Sequence, residues 1–120
     1  MTQALLTKTS SLNFLPDTAK FVDNSEASVI IEEFLKIANA LDGTIIQIEG
    51  NIAGTNITEA GQKLSEERAK TVAKYFILNG IDPNRIIIIG NGATKQIGDN
   101  NTEEGKKINR RTDIFFKSIE

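Results

Sequence analysis

The chain has 120 residues, of which 39% are apolar and 25% charged, with a net charge of −2. That is the size of one hydrophobic core and the composition of an ordinary globular domain. Cysteine and histidine are both absent, which excludes disulfides, thiol catalysis, zinc sites built on either residue, and histidine as general base; the slight acidic excess argues against a general nucleic-acid binder.

The N-terminal "MTQALLTKTS" carries a short apolar patch but no signal-peptide core, and no later run is long and apolar enough to span a membrane. The first predicted strand is Thr9–Phe14, followed by a loop broken at Pro16. Ser25 is the expected N-cap of a first helix. Its apolar face is Ala27, Ile30, Ile31, Phe34, Ile37, Ala38 and Leu41, and Gly43 supplies a left-handed end. Thr44–Glu49, rich in isoleucine, reads as the second strand. A loop of about a dozen residues follows, long for a compact domain. Ser65 is expected to cap a second helix, with Glu66 and Glu67 in its first turn and Ala69, Val72, Ala73 and Phe76 as its buried stripe. Gly80 and Ile81 have the pattern of a Schellman end. After "DPNR" comes "IIIIG", apolar at every position and so expected to be a central strand covered on both faces. A loop rich in Gly and Asn leads through a helical turn near Glu103–Ile108 to a last strand, Thr112–Lys117. The expected fold is α/β, an α+β two-layer sandwich of order β-α-β-α-β-β, with a mixed four-stranded sheet and the helices on one face. Residues 1–120 are read as one domain, its motif-bearing part spanning about residues 44–117.

Several stretches invite chemical readings. "GNGATK", Gly90 to Lys95, has the start of a dinucleotide-binding turn, but Lys95 stands where a third glycine is needed and no apolar helix follows. "KKINRR", Lys106 to Arg111, fits either an oxyanion site or a solvated charge cluster balanced by Glu103, Glu104 and Asp113. Arg68 falls at the margin of the second helix's buried stripe, at about 100° per residue. It points across the end of the sheet near Gly50, either toward a ligand or with its stem on the core and its head in water. The acids Asp17, Asp23, Glu49, Glu59, Asp99 and Asp113 are scattered, and no serine or threonine sits in a nucleophile elbow. No catalytic residue, metal site or cofactor is expected.

Two segments, "LSEERAKTVAKYFILNGIDPNRIIIIGNG" and "NNTEEGKKINRRTDI", resemble the C-terminal domain of the OmpA, Pal and MotB family. Leu64, Ser65, Arg68 and Ala69 match its first motif. Gly80, Ile81, Arg85, Gly90 and Gly92 match the middle. Asn100, Thr102, Gly105, Asn109, Arg110 and Arg111 match the last, with Lys106 where arginine is usual. The resemblance implies a non-catalytic, extracytoplasmic cell-envelope module that binds peptidoglycan by the diaminopimelate of its stem peptide. In that family an arginine at the Arg68 position takes a carboxylate, and an aspartate ending a G-H-T-D stretch takes the ammonium.

Aligned on Gly50, that stretch is Gly50-Asn51-Ile52-Ala53, so the aspartate is Ala53; the asparagine common before the L-S pair is Gly61, and Gln96 stands near the place of a proline. The resemblance thus puts the ligand site at Arg68, with Asn51, Ala53, Leu64, Asn109 and Arg110 around it and binding weakened by the lost carboxylate. Glu59 is the nearest acid in sequence to replace it, ahead of Glu49. The alternative is a structural or protein-interaction domain that keeps the fold without binding peptidoglycan, with Arg68 tied to loop carbonyls or to Asp113. The resemblance also leads us to expect a C-terminal fragment of a longer exported protein, with its export signal and an upstream domain elsewhere.

Overall fold

In the computed structural model, which describes the backbone of residues 2–119 and the side chains of residues 12–118, four strands and three helices alternate along the chain. They are β1 (Thr2–Asn13), α1 (Asn24–Ala40), β2 (Ile45–Gly50), α2 (Glu59–Leu78), β3 (Ile86–Gly90), α3 (Glu103–Asn109) and β4 (Arg111–Ile119), with a 3-10 turn at Pro83–Arg85 before β3. The sheet order is β1-β4-β2-β3. β4 runs antiparallel to both β1 and β2, and β2 and β3 are parallel, joined by α2; a parallel pair needs such a crossover. This is the expected mixed sheet. The helical turn near Glu103 is α3.

The core lies between one face of the sheet and α1 and α2. Ile46 and Ile48 of β2 and Ile114 and Phe116 of β4 meet Phe34 and Ala38 of α1 and Val72 and Phe76 of α2. Phe34 and Phe116 stack with centroids 6.5 Å apart. Each such aromatic or branched side chain contributes about 1.5–3 kcal/mol by leaving water.

Several features differ from the expected ones, each for a physical reason. β1 extends well before Thr9, because ladder pairing to β4 carries it; irregular register at Ala4/Leu6 and Thr9/Asn13 breaks the alternation that marks a strand in sequence. Asp23, not Ser25, caps α1: its carboxylate accepts from Glu26 N at 3.0 Å. α2 begins at Glu59, capped by Thr58, whose hydroxyl accepts from Gly61 N at 2.9 Å. The loop after β2 is therefore only residues 51–58, and Glu59, not Glu66 or Glu67, sits in the first turn. The opening turns of α2 are polar and contain Gly61, a poor helix former, so they carry no apolar period to read. Finally, β3 is an edge strand, with Ile87 and Ile88 43% and 38% exposed. β4 already occupies the other side of β2, so β3 can only add outside it.

The α2 C-terminus does form the Schellman end. Ile81 N donates to the Phe76 carbonyl and Gly80 N to that of Ile77, both at 3.1 Å, with Gly80 at φ 96°. Just beyond it, Arg85 Nε donates to the Thr44 carbonyl at 2.9 Å, and its Nη2 reaches the carbonyls of Ala38 and Leu41 at 3.1 and 3.2 Å. This side chain ties the end of α1 to the start of β2.

Candidate functional site

The site is built on a close approach. A Cβ on Gly50, at the end of β2, would overlap the Ser65 carbonyl oxygen, and one on Gly90 of β3 would press on Ser65 Oγ and Glu66. Glycine at both strand ends therefore lets α2 lie directly on the sheet. Ser65, buried inside the helix, joins the two layers: its hydroxyl donates to the Gln62 carbonyl at 2.7 Å and accepts from Gly92 N at 2.8 Å.

About one turn further on, Arg68 is 1% exposed. Its Nε donates to the Thr18 carbonyl at 2.8 Å, Nη1 to Asn51 at 3.0 Å and Nη2 to Leu15 at 3.2 Å. The guanidinium also lies 5.3 Å from the centroid of the Phe14 ring, within cation–π range. Its head is thus held by loop carbonyls rather than by water, and Asp113 is not its partner. A guanidinium has five N–H donors; one on each terminal nitrogen remains without an acceptor among the described residues. The group's pKa is lowered to about 10, chiefly by burial and also by the charge of Arg110, with Asp17 opposing the shift. Arg68 remains a cation at neutral pH.

Ala53, Leu64, Arg68 and Arg110 line one pocket of about 120 Å³, together with Pro16, Asp17 and Ile52. Arg110 is half-buried and Asp17 exposed, and neither side chain makes a hydrogen bond or ion pair among the described residues. Asn51 contributes its carbonyl to Arg68 from behind the pocket. Its side chain points to a polar network on the opposite face of the sheet, donating to the Glu49 carbonyl at 3.2 Å and accepting from Asn91 at 3.1 Å. Asn109 is fully buried and lies outside the pocket. Its Oδ1 accepts from Ile97 N and Gly98 N at 2.8 and 2.7 Å, and its Nδ2 donates to the Gly98 carbonyl and to Asn100. Asn100 and Gln96 in turn hold the Gly54 and Ile52 carbonyls at 2.9 and 2.7 Å. Asn109 therefore acts on position 53 only by fixing the loop that straps it. Glu59 is exposed in the first turn of α2 and does not line the pocket.

Glu49 belongs to the opposite face. Burial alone would raise its carboxyl, but hydrogen bonds from Asn91, Lys95 and Gln47 outweigh that and hold it below the ordinary carboxylate value. Beside it, Arg111 grips Asp113 through Nε and Nη2 at 3.1 and 3.0 Å. Of "KKINRR", then, Arg111 is committed internally, while Arg110 alone faces the pocket.

Residues 13–110 match the pattern described as the OmpA family. The chain belongs to that family. It is similar to outer membrane protein A of Bordetella avium, 37% identical over 89 residues that cover 74% of this chain and 46% of that protein. Motility protein B of Helicobacter pylori is 31% identical over 114 residues, covering 91% and 44%. The crystal structure of the C-terminal domain of Helicobacter pylori MotB has the same fold, with a TM-score of 0.79 at 26% identity, covering 93% of this chain and 85% of that one. The peptidoglycan-associated lipoprotein from Burkholderia pseudomallei shares the fold with a TM-score of 0.78 at 20% identity, covering 88% and 87%. The chain spans less than half the length of the two curated relatives named here.

Two of this OmpA-family domain's departures from the resembled pattern meet in space. A Cβ at Gly61 would come within 2.7 Å of Ile52 Cδ1. Ile52 fills the volume that a side chain at position 61 would occupy, so the pocket wall beside Ala53 is apolar. The carboxylate that does line the pocket, Asp17, lies in the β1–α1 loop, far in sequence from the motifs. The only sequence signal for it is an acid in the turn "LPDT".

Proposed function

We propose that this OmpA-family domain is a non-catalytic module that works outside the cytoplasm and holds peptidoglycan stem peptide by a carboxylate seated on Arg68. The observation that carries this reading is the guanidinium at the base of an open pocket, with one N–H uncommitted on each terminal nitrogen. A carboxylate accepting both makes the bidentate, charge-assisted pair in which arginine excels. Ala53 adds a methyl where the resembled pattern has an anion, so affinity is lower than it would be with an acid at position 53. A charge-assisted hydrogen bond is worth about 1.5–3 kcal/mol, or roughly 10- to 150-fold.

A second reading is favoured by a different observation. Three of Arg68's donors serve internal carbonyls and the residue is 1% exposed, as suits a structural tie in a domain without a wall ligand. Titration with a diaminopimelate-containing stem peptide, for the native chain and for Arg68→Lys, separates the two. Lysine keeps the charge but not the fork. Binding by the native chain that drops at least tenfold in a folded Arg68→Lys supports the carboxylate site. No binding by either protein removes it and leaves the structural reading.

A further inference from the structure

We infer that Asp17 is the anion of this pocket, replacing from the β1–α1 loop the carboxylate that position 53 lacks, and that it selects ligands carrying an ammonium beside the carboxylate. This rests on the proposed carboxylate seat at Arg68. The two acids nearest in sequence are disposed elsewhere: Glu59 stands exposed outside the pocket, and Glu49 is engaged by Lys95 and Asn91 at 2.9 and 2.8 Å on the far face of the sheet. Asp17 lines the pocket itself, and among the described residues its side chain has no hydrogen bond or ion pair.

Its position is fixed by the same arginine it faces. Arg68 bonds the Leu15 and Thr18 carbonyls, which flank Asp17 in the chain. The turn is closed further by Thr18 N to the Leu15 carbonyl at 3.3 Å and Leu15 N to that of Lys20 at 2.9 Å. Asp17 itself sits at φ 57°, the one non-glycine residue in the left-handed region among those described. That conformation is uncommon for a residue with a side chain and persists where its surroundings hold it. Cation and anion thus line one small pocket, with the backbone that carries the anion held in place. Arg110, on the pocket wall, also has no ion pair among the described residues, and Asp17 offsets part of the positive charge of the two arginines. A ligand tip bearing both charges places its carboxylate on Arg68 and its ammonium on Asp17.

The test uses the whole chain and three C-terminally amidated stem tripeptides differing only in the side-chain end of the third residue: meso-diaminopimelate, with carboxylate and ammonium; 2-aminopimelate, with the carboxylate alone; and lysine, with the ammonium alone. Calorimetry reads affinity, and thermal melting checks folding. Asn tolerates the left-handed region, so Asp17→Asn keeps the turn. The native chain is expected to prefer diaminopimelate over aminopimelate by about tenfold, with lysine weakest. Asp17→Asn should erase that preference and leave aminopimelate binding at least as tight. A preference that survives Asp17→Asn, or equal affinity of the native chain for the first two peptides, overturns the role of Asp17 while the seat at Arg68 stands. Failure of the native chain to bind any of the three removes both.

Discussion

Two arginines hold the two ends of the β2–α2–β3 unit, and both spend their donors on backbone carbonyls. Arg85, at one end, ties the last turn of α1 to the start of β2 through Ala38, Leu41 and Thr44. Arg68, at the other, ties α2 to the β1–α1 loop and to the residue after β2 through Leu15, Thr18 and Asn51. Arg85 is half-buried against helix-end carbonyls, where a cation is favoured by the helix dipole as well as by the bonds. Arg68 is buried more deeply, at a pocket also lined by a second cation and by a carboxylate with no partner among the described residues. On the proposed reading, the contrast separates an arginine that only braces from one that also receives a ligand. Carbonyl ties and uncommitted donors are common to both; deep burial at the wall of a pocket belongs to Arg68 alone of the two.

The sharpest way to break the comparison is to unseat the helix that carries Arg68. Gly50→Ala puts a methyl into the Ser65 carbonyl, and neither backbone can yield without lifting α2. We expect a loss of about 4 kcal/mol or more in denaturant unfolding, at the extreme of single-residue effects. Next come the arginines themselves. Arg68→Ala strips a donor from three carbonyls and should lower stability by about 3 kcal/mol, with stem-peptide binding lost. Arg85→Ala should cost about 1–2 kcal/mol, its carbonyls being nearer water, and leave stem-peptide affinity unchanged. Equal effects of both substitutions on binding would dissolve the distinction. A gentler change sharpens it: Ala53→Asp restores a carboxylate opposite Arg68 and should raise affinity for the diaminopimelate peptide by about tenfold, with little change in melting temperature. An unchanged affinity would mean the apolar wall at Ile52 denies the new acid its approach.

The smallest effect lies on the other face of the sheet. Glu49's carboxyl is held below the ordinary carboxylate value of 4.5. Its ionised form therefore adds stability that is present above about pH 4.5 and lost as pH falls through the lowered folded value. Glu49→Gln should flatten that part of the acid limb of a stability–pH curve while leaving peptide binding as it was. An acid limb identical to the native one would show that the carboxylate's hydrogen bonds do not outweigh its burial.

What could be read in the sequence was what local chemistry determines. The Schellman end at Gly80-Ile81 needs only a glycine and an apolar contact a few residues apart, and the face of α1 needs only its period. The start of α2 was hidden because Thr58 caps a polar turn, while Ser65, followed by two glutamates, imitates a cap although its hydroxyl is used between layers. The edge position of β3 was hidden because a run of isoleucines reports strand preference as much as burial, and which strand ends up outside depends on where β4 inserts. Around the candidate site, the position of Arg68 near the end of the sheet was legible. The burial of Arg68 was not, since its acceptors come from residues 15, 18 and 51. Asp17 was not legible either: a lone acid in a turn gains meaning only when the fold brings it beside a guanidinium.

The triple tie of Arg68 also determines where a mechanical pull would travel. A tug on anything seated at the guanidinium does not act on α2 alone. Through Asn51 it passes to the end of β2, and through Leu15 and Thr18 to the segment leaving β1. β2 and β1 flank β4, so tension entering at one side chain is shared across three strands of the sheet. Failure under force would then require shearing strand ladders, many hydrogen bonds at once, rather than peeling one helix turn by turn.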